Sequence, residues 1–176
     1  YRYQRLFNEG EFKLFEAKGN FDEQRKEREE RRKKAIEEVF TFGGLEAILA
    51  LAQSVNNMPW RVGAIFGVIA NKNSAEEKIL PDLLGAEVHS LAQFAGGFIR
   101  GKFRENSWQW VDSVTMSHWN PFQIGQFFAF LPFVSDTWER VEGLLGEDQS
   151  PYWSTTSVDP YQAGTDLDFA INRLIQ

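Results

Sequence analysis

Apolar residues along this chain recur at the three- and four-residue spacings of helices, and no stretch alternates polar and apolar positions as a strand does. The pattern predicts helices over 22–41, 44–54, 59–71, 75–84, 86–103, 107–116, 121–131, 136–145 and 165–175. Starts are marked by a polar residue followed three positions later by a side chain able to reach back. This occurs at Asn20/Glu23, Ser74/Glu77, Asn120/Gln123 with Pro121 between them, Asp136/Glu139 and Thr165/Asp168. Stops are marked by Gly43-Gly44, Gly67, Gly85, Gly101 and Gly146. Residues 1–21 read as an N-terminal arm that is either a short helix or extended chain, and 147–164 as irregular chain pinned by Tyr152, Trp153 and Tyr161.

The helices carry an internal echo. Displacing the chain by 79 residues without a gap matches Ala50 with Ala129, Val55 with Val134, Arg61 with Arg140, Val62 with Val141 and Gly67 with Gly146. Five identities stand where average composition gives roughly one or two. The same register pairs Pro81 with Pro160 and Gly85 with Gly164, and a shorter echo, Leu-Ala-Gln at Leu51 and again at Leu91, lies at half the period. The packing skeleton recurs while the decoration varies: Glu139 takes the register of Trp60.

Helix pairs of about 40 residues, each with an apolar face that a neighbour must cover, imply stacking. Over about residues 42–176 the sequence resembles the HEAT, armadillo and TPR class of α-solenoids, although the TPR signature is absent and no HEAT consensus is complete. The segments around "PWRVG" and "TWERVEGLLG" also resemble helical parts of very large bacterial multidomain proteins. The fold expected is all-α: stacked antiparallel helical hairpins in a single domain over 22–176, with units of about 42–120 and 121–176. A compact helical bundle is the alternative. The function expected is a non-catalytic interaction, spacer or scaffold segment, with a protein or peptide, or flanking domains, as partner; the alternatives are a nucleic-acid-binding repeat segment acting through a local basic patch, or an accessory domain of an enzyme.

Composition narrows the chemistry. Nineteen Lys and Arg stand against 25 Asp and Glu, a formal charge of −6 that disfavours a phosphate backbone as partner. No cysteine is present, which removes thiolate nucleophiles, disulfides and Cys-based zinc sites and fits a cytoplasmic protein. The longest nearly apolar run, Phe122 to Val134, is too short to span a bilayer. Beginning on Tyr1 and ending on an apolar helical pattern, the chain reads as an internal piece of a longer protein.

No constellation in the sequence points to catalysis, a metal or a cofactor. His89 and His118 lack ligand spacing, Asp168 is explained as a helix-start residue, and the glycines at 63, 67 and 96–101 lack a phosphate-loop pattern and suit close helix packing. The helix from Asp22 to Val39 holds seven acids and seven bases, with Glu27/Arg31, Glu29/Lys33 and Glu30/Lys34 placed for ion pairs, and reads as a solvated face. The candidate interaction surface is Arg100, Lys102 and Arg104 together with Trp108, Trp110 and Trp119, because Trp and Arg dominate interface hot spots. Trp108 and Trp110 are two residues apart on a helix, so both cannot enter one core face.

Overall fold

The computed structural model describes residues 3–8, 21–55, 58–70 and 74–174, and the described residues are all helix, turn and loop, with no strand. The fold is all-α. Its α-helices run α1 Gln4–Asn8, α2 Phe21–Ser54, α3 Pro59–Ile69, α4 Ser74–Ile79, α5 His89–Val111, α6 Pro121–Ala129, α7 Ser135–Leu145, α8 Ser150–Trp153, α9 Pro160–Ala163 and α10 Leu167–Leu174. Short 3₁₀ turns cover Asp82–Gly85 and Gly164–Asp166. No helix among the described residues is long and apolar enough to cross a membrane.

The chain divides into two compact units, Tyr1–Glu105 and Asn106–Gln176. The boundary falls beside a break in α5, where Ser107 adopts φ 51 and ψ −149. The predicted gap between 103 and 107 is thereby a kink in a continuing helix. Similarly, α2 is one run interrupted at Gly43–Gly44, and Gly44 has φ 60, a value that glycine alone adopts without steric cost.

In the first unit, α1 belongs to the folded body, with Phe7 fully buried, so the N-terminal arm begins as packed helix. The core collects Ile36 and Ile48 of α2, Val62 and Phe66 of α3, and Phe94, Phe98 and Ile99 of α5. Phe66 sits at its centre, with ring centroids 6.2 Å from Phe94 and 6.0 Å from Phe98. Helices α3 and α5 cross on glycines. A Cβ on Gly63 would lie 2.8 Å from the Phe94 carbonyl carbon, and one on Gly97 would lie 2.7 Å from that of Trp60. Gly67 and Gly101, expected as stops, are therefore helix-interior contact points. Gly146, by contrast, does end its helix: it has φ 61 and its N–H donates to the Glu142 carbonyl at 2.8 Å.

In the second unit, α6 opens as the sequence predicts. The Asn120 side chain accepts from the Gln123 N–H and the Gln123 side chain accepts from the Asn120 N–H, both at 2.9 Å, with Pro121 first in the helix. Two other starts differ. Helix α7 begins one residue early, after Val134, with no side-chain cap, and a 3₁₀ turn at Gly164–Asp166 stands where the sequence pattern predicts a cap at Thr165. Asp159 makes a cap not foreseen, accepting from Tyr161 and Gln162 N–H groups. The segment read as irregular thus holds two short helices. Its pinning is by Tyr152, fully buried, and Trp153, 5.9 Å from Trp138, whereas Tyr161 is 97% exposed. Gly125 lets α8 approach α6: a Cβ there would meet the Tyr152 backbone nitrogen at 2.7 Å.

Candidate functional site

The charged first half of α2 presents a strip. Asp22, Arg25, Arg28, Glu29 and Arg32 follow one another at intervals of three, three, one and three residues, so they share a helix face. Facing it, α3 offers Trp60, Arg61, Ala64 and Ile65, again one face, and α5 adds Arg104. Together with Gln24 these side chains line a cleft of about 350 Å³ in the first unit.

The cleft is an arginine site. Among the described residues that line it, five guanidiniums, those of Arg25, Arg28, Arg32, Arg61 and Arg104, stand beside the carboxylates of Asp22 and Glu29, three more positive than negative charges. Internal pairs hold the walls: Arg25 to Asp22 at 3.2 Å, and Arg104 to Glu29 at 3.1 Å across from α5 to α2. Both pairs are largely exposed, so each contributes little stability and mainly sets side-chain positions. Arg32 is only 8% exposed, and its Nε donates to the Leu6 carbonyl at 3.1 Å, which fixes the guanidinium. Arg28 is half-buried and makes no hydrogen bond or ion pair with another described residue. Trp60 leaves 40% of its surface in contact with water, with the Arg61 guanidinium 5.3 Å from its ring centroid.

A neighbouring hollow shows what this helix makes elsewhere. Among the described residues there, Lys26, Lys33 and Arg104 face Glu29, Glu30 and Glu105, three against three. Two of the pairings expected along α2 are exchanged for others: Glu30 meets Lys33 at 3.5 Å in place of Lys34, and Glu29 turns to Arg104 in place of Lys33.

The predicted surface is distributed differently. Arg104 lines the cleft and Arg100 is exposed, but Lys102 is 3% exposed: its ammonium donates to the Ala70 carbonyl and lies 4.0 Å from the Glu76 carboxylate. Lys102 is a core cation tying α5 to the end of α3, not part of a surface patch. A residue two positions from both Arg100 and Arg104 must point to the opposite side of the helix.

Trp108, Trp110 and Trp119 lie in the second unit, apart from the arginines in the division of the chain. Trp110 is buried, 5.6 Å from Phe127, and Trp119 meets the same ring edge-on at 5.4 Å. Trp108 is half-buried beneath Arg140, whose guanidinium carbon lies 4.2 Å from the indole centroid while two of its nitrogens reach Asp112 at 3.1 and 3.3 Å. The two indoles separate as their spacing requires. Trp110 is core, and Trp108 is covered by its own unit rather than open for a partner.

Other polar groups are structural or dispersed. His89 is the first residue of α5, its Nε2 2.8 Å from the Gln93 amide, and His118 is exposed in a loop. Among the described residues no three His, Asp or Glu side chains are grouped as a metal would need. Burial is the main cause that raises the Tyr152 phenol above its ordinary value of 10.0, with Thr156 and Trp138 opposing it.

No protein-family model matches the chain, and neither the curated proteins nor the solved structures contain a significant match to it.

The strip on α2 escaped sequence reasoning because the helix is neutral as a whole. Seven acids and seven bases sum to nothing, and only sorting them by face isolates Arg25, Arg28 and Arg32. Trp60 and Arg61 carried no signal of their own, since their role depends on α3 lying opposite that strip.

Proposed function

We propose that the chain is a non-catalytic interaction segment, part of a helical scaffold, whose first unit docks an acidic stretch of a protein or peptide partner. The observation that carries this reading is the excess of three positive charges among the described residues that line one cleft, on a chain whose net charge is −6. A local excess against the overall sign is a recognition feature: the acidic remainder repels anions in general, and the cleft draws one in at one place. Arginine supports the reading better than lysine would, because its planar fork matches carboxylate oxygens two at a time. Trp60, partly exposed at the cleft, adds apolar contact next to the charges. A scaffold role in the cytoplasm belongs to the same reading and agrees with the absence of cysteine.

The test is fluorescence anisotropy with a labelled Glu-rich peptide and a Lys-rich control of equal length. Binding of the acidic peptide alone, weakening as salt rises and lost in Arg28→Glu, is the expected result. Equal binding of both peptides, or acidic binding unaffected by Arg28→Glu, overturns the reading.

A further inference from the structure

We infer that the acidic partner of the cleft is a second copy of this chain, whose residues 158–168 dock against Arg28 and Trp60; this rests on the acidic-partner reading above and names its occupant. The first reason is how charge divides along the chain. Tyr1–Glu105 holds 17 bases and 16 acids, whereas Asn106–Gln176 holds nine acids and, as bases, Arg140 and Arg173 alone. Both arginines are used inside the second unit, Arg140 on Asp112 at 3.1 Å and Arg173 on Glu142 at 3.5 Å. The other seven carboxylates of that unit make no ion pair with a described residue. The acidic chemistry that suits the cleft is therefore carried by the molecule itself.

The second reason is the surface of residues 158–168, which offers acid and apolar contact together. Tyr161 is 97% exposed, an aromatic ring that no neighbour covers, and Asp166 and Asp168 are exposed a few residues on. Asp159 fixes the backbone that carries the ring by accepting from the Tyr161 N–H at 3.0 Å. Tyrosine brings a large contact area at a small cost in side-chain freedom, and it is enriched at interfaces.

The third reason is what receives this segment. Arg32 and Arg61 are already engaged, with the Leu6 carbonyl and the Trp60 ring among their partners, and the docking does not draw on them. Arg28 makes no hydrogen bond or ion pair with another described residue, so its guanidinium takes an incoming carboxylate without giving up a partner. Trp60, partly exposed, forms with Ala64 and Ile65 an apolar wall for the tyrosine ring, and a cleft of about 350 Å³ admits one ring and one carboxylate. Two chains of charge −6 repel at a distance, but at physiological ionic strength that repulsion is screened beyond about 8 Å and the contacting groups decide. The contact joins two different surfaces, so it links copies head to tail.

The experiment is sedimentation velocity of the whole chain at rising concentration, beside Arg28→Glu, Tyr161→Ala and the double variant Asp166→Lys/Asp168→Lys, each confirmed as folded by its helical circular dichroism. Binding of a labelled Glu-rich peptide is measured in parallel. The unaltered chain should associate as concentration rises, and each variant should weaken that association at least about tenfold. An equimolar mixture of the Arg28→Glu chain and the double variant should form a one-to-one pair, because one copy keeps the segment and the other keeps the cleft. A chain that stays monomeric while the Glu-rich peptide binds, and loses it in Arg28→Glu, overturns the self-docking and leaves the acidic-partner reading standing. Association unchanged in Arg28→Glu or in the double variant, or a mixture that does not pair, overturns the self-docking too. Neither association nor peptide binding overturns both.

Discussion

Gly67 of α3 and Gly101 of α5 stand face to face: a Cβ built on either would lie 3.1 to 3.2 Å from the other's Cα. With Gly63 and Gly97 one turn back along the same helices, they let two backbones approach as side chains would not allow. The crossing sets where α3 lies, and with it Trp60 and Arg61, which line the cleft.

Replacing Gly63 by Ala should therefore cost about 2–3 kcal/mol, because the new methyl meets the backbone of Phe94 and Phe98, which cannot rotate away. Gly143→Ala is the control: nothing lies within 4 Å of its Cβ position in α7, so the ordinary helix preference should stabilise by about 0.5–1 kcal/mol. Urea unfolding followed by circular dichroism measures both, and equal effects of the two substitutions would contradict the packing role.

Lys102→Ala should destabilise by about 1–3 kcal/mol, since it leaves the Ala70 carbonyl and the Glu76 carboxylate without their buried cation. Arg100→Ala, on the exposed side of the same helix, should change stability by less than about 0.5 kcal/mol. Comparable losses in the two variants would show that Lys102 is not a core residue.

Ser107 holds a backbone conformation that a side chain disfavours, at φ 51 and ψ −149. Such positions cost on the order of 1–3 kcal/mol. Ser107→Gly should raise the thermal midpoint and Ser107→Val should lower it, read by differential scanning calorimetry.

The raised Tyr152 phenol makes a pH prediction. Its folded value lies above the unfolded 10.0, so the unfolded chain loses this proton first, and the stability tied to the neutral phenol is complete below about pH 10 and falls as pH rises beyond it. Tyr152→Phe should flatten the decline in unfolding free energy above pH 10, measured by urea titration at successive pH values. An unchanged slope would show that the phenol ionises alike in both states.

Much of the helical skeleton was legible because its signals are local. The capping box at Asn120 and Gln123, the Gly146 terminus and the break at Gly43–Gly44 each depend on a few neighbouring residues whose own backbone groups supply the partners. The periodicity likewise specified an all-α chain, and the two-residue spacing of Trp108 and Trp110 specified that they would separate. Where a local signal had a tertiary competitor, the competitor prevailed. Gly67 and Gly101 look like stops in sequence and are contact points in space, because a glycine offers both a permissive backbone and a missing side chain, and only a neighbouring helix selects between them.

The pair Gly67 and Gly146 separates the two levels. They share a register in the 79-residue echo, yet one lies buried against α5 and the other is an exposed helix end at φ 61. The cleft belongs wholly to the tertiary level. Sequence by itself determined that residues 22–39 form a charged, neutral-sum helix, that no cysteine chemistry is available and that no long apolar span is present. Only the packing of α3 and α5 against α2 decided that Arg25, Arg28 and Arg32 meet Arg61, Arg104 and Trp60, and that Lys102 goes inside. The physical reason is that charge recognition depends on distances between side chains on different helices, which no spacing along one chain encodes.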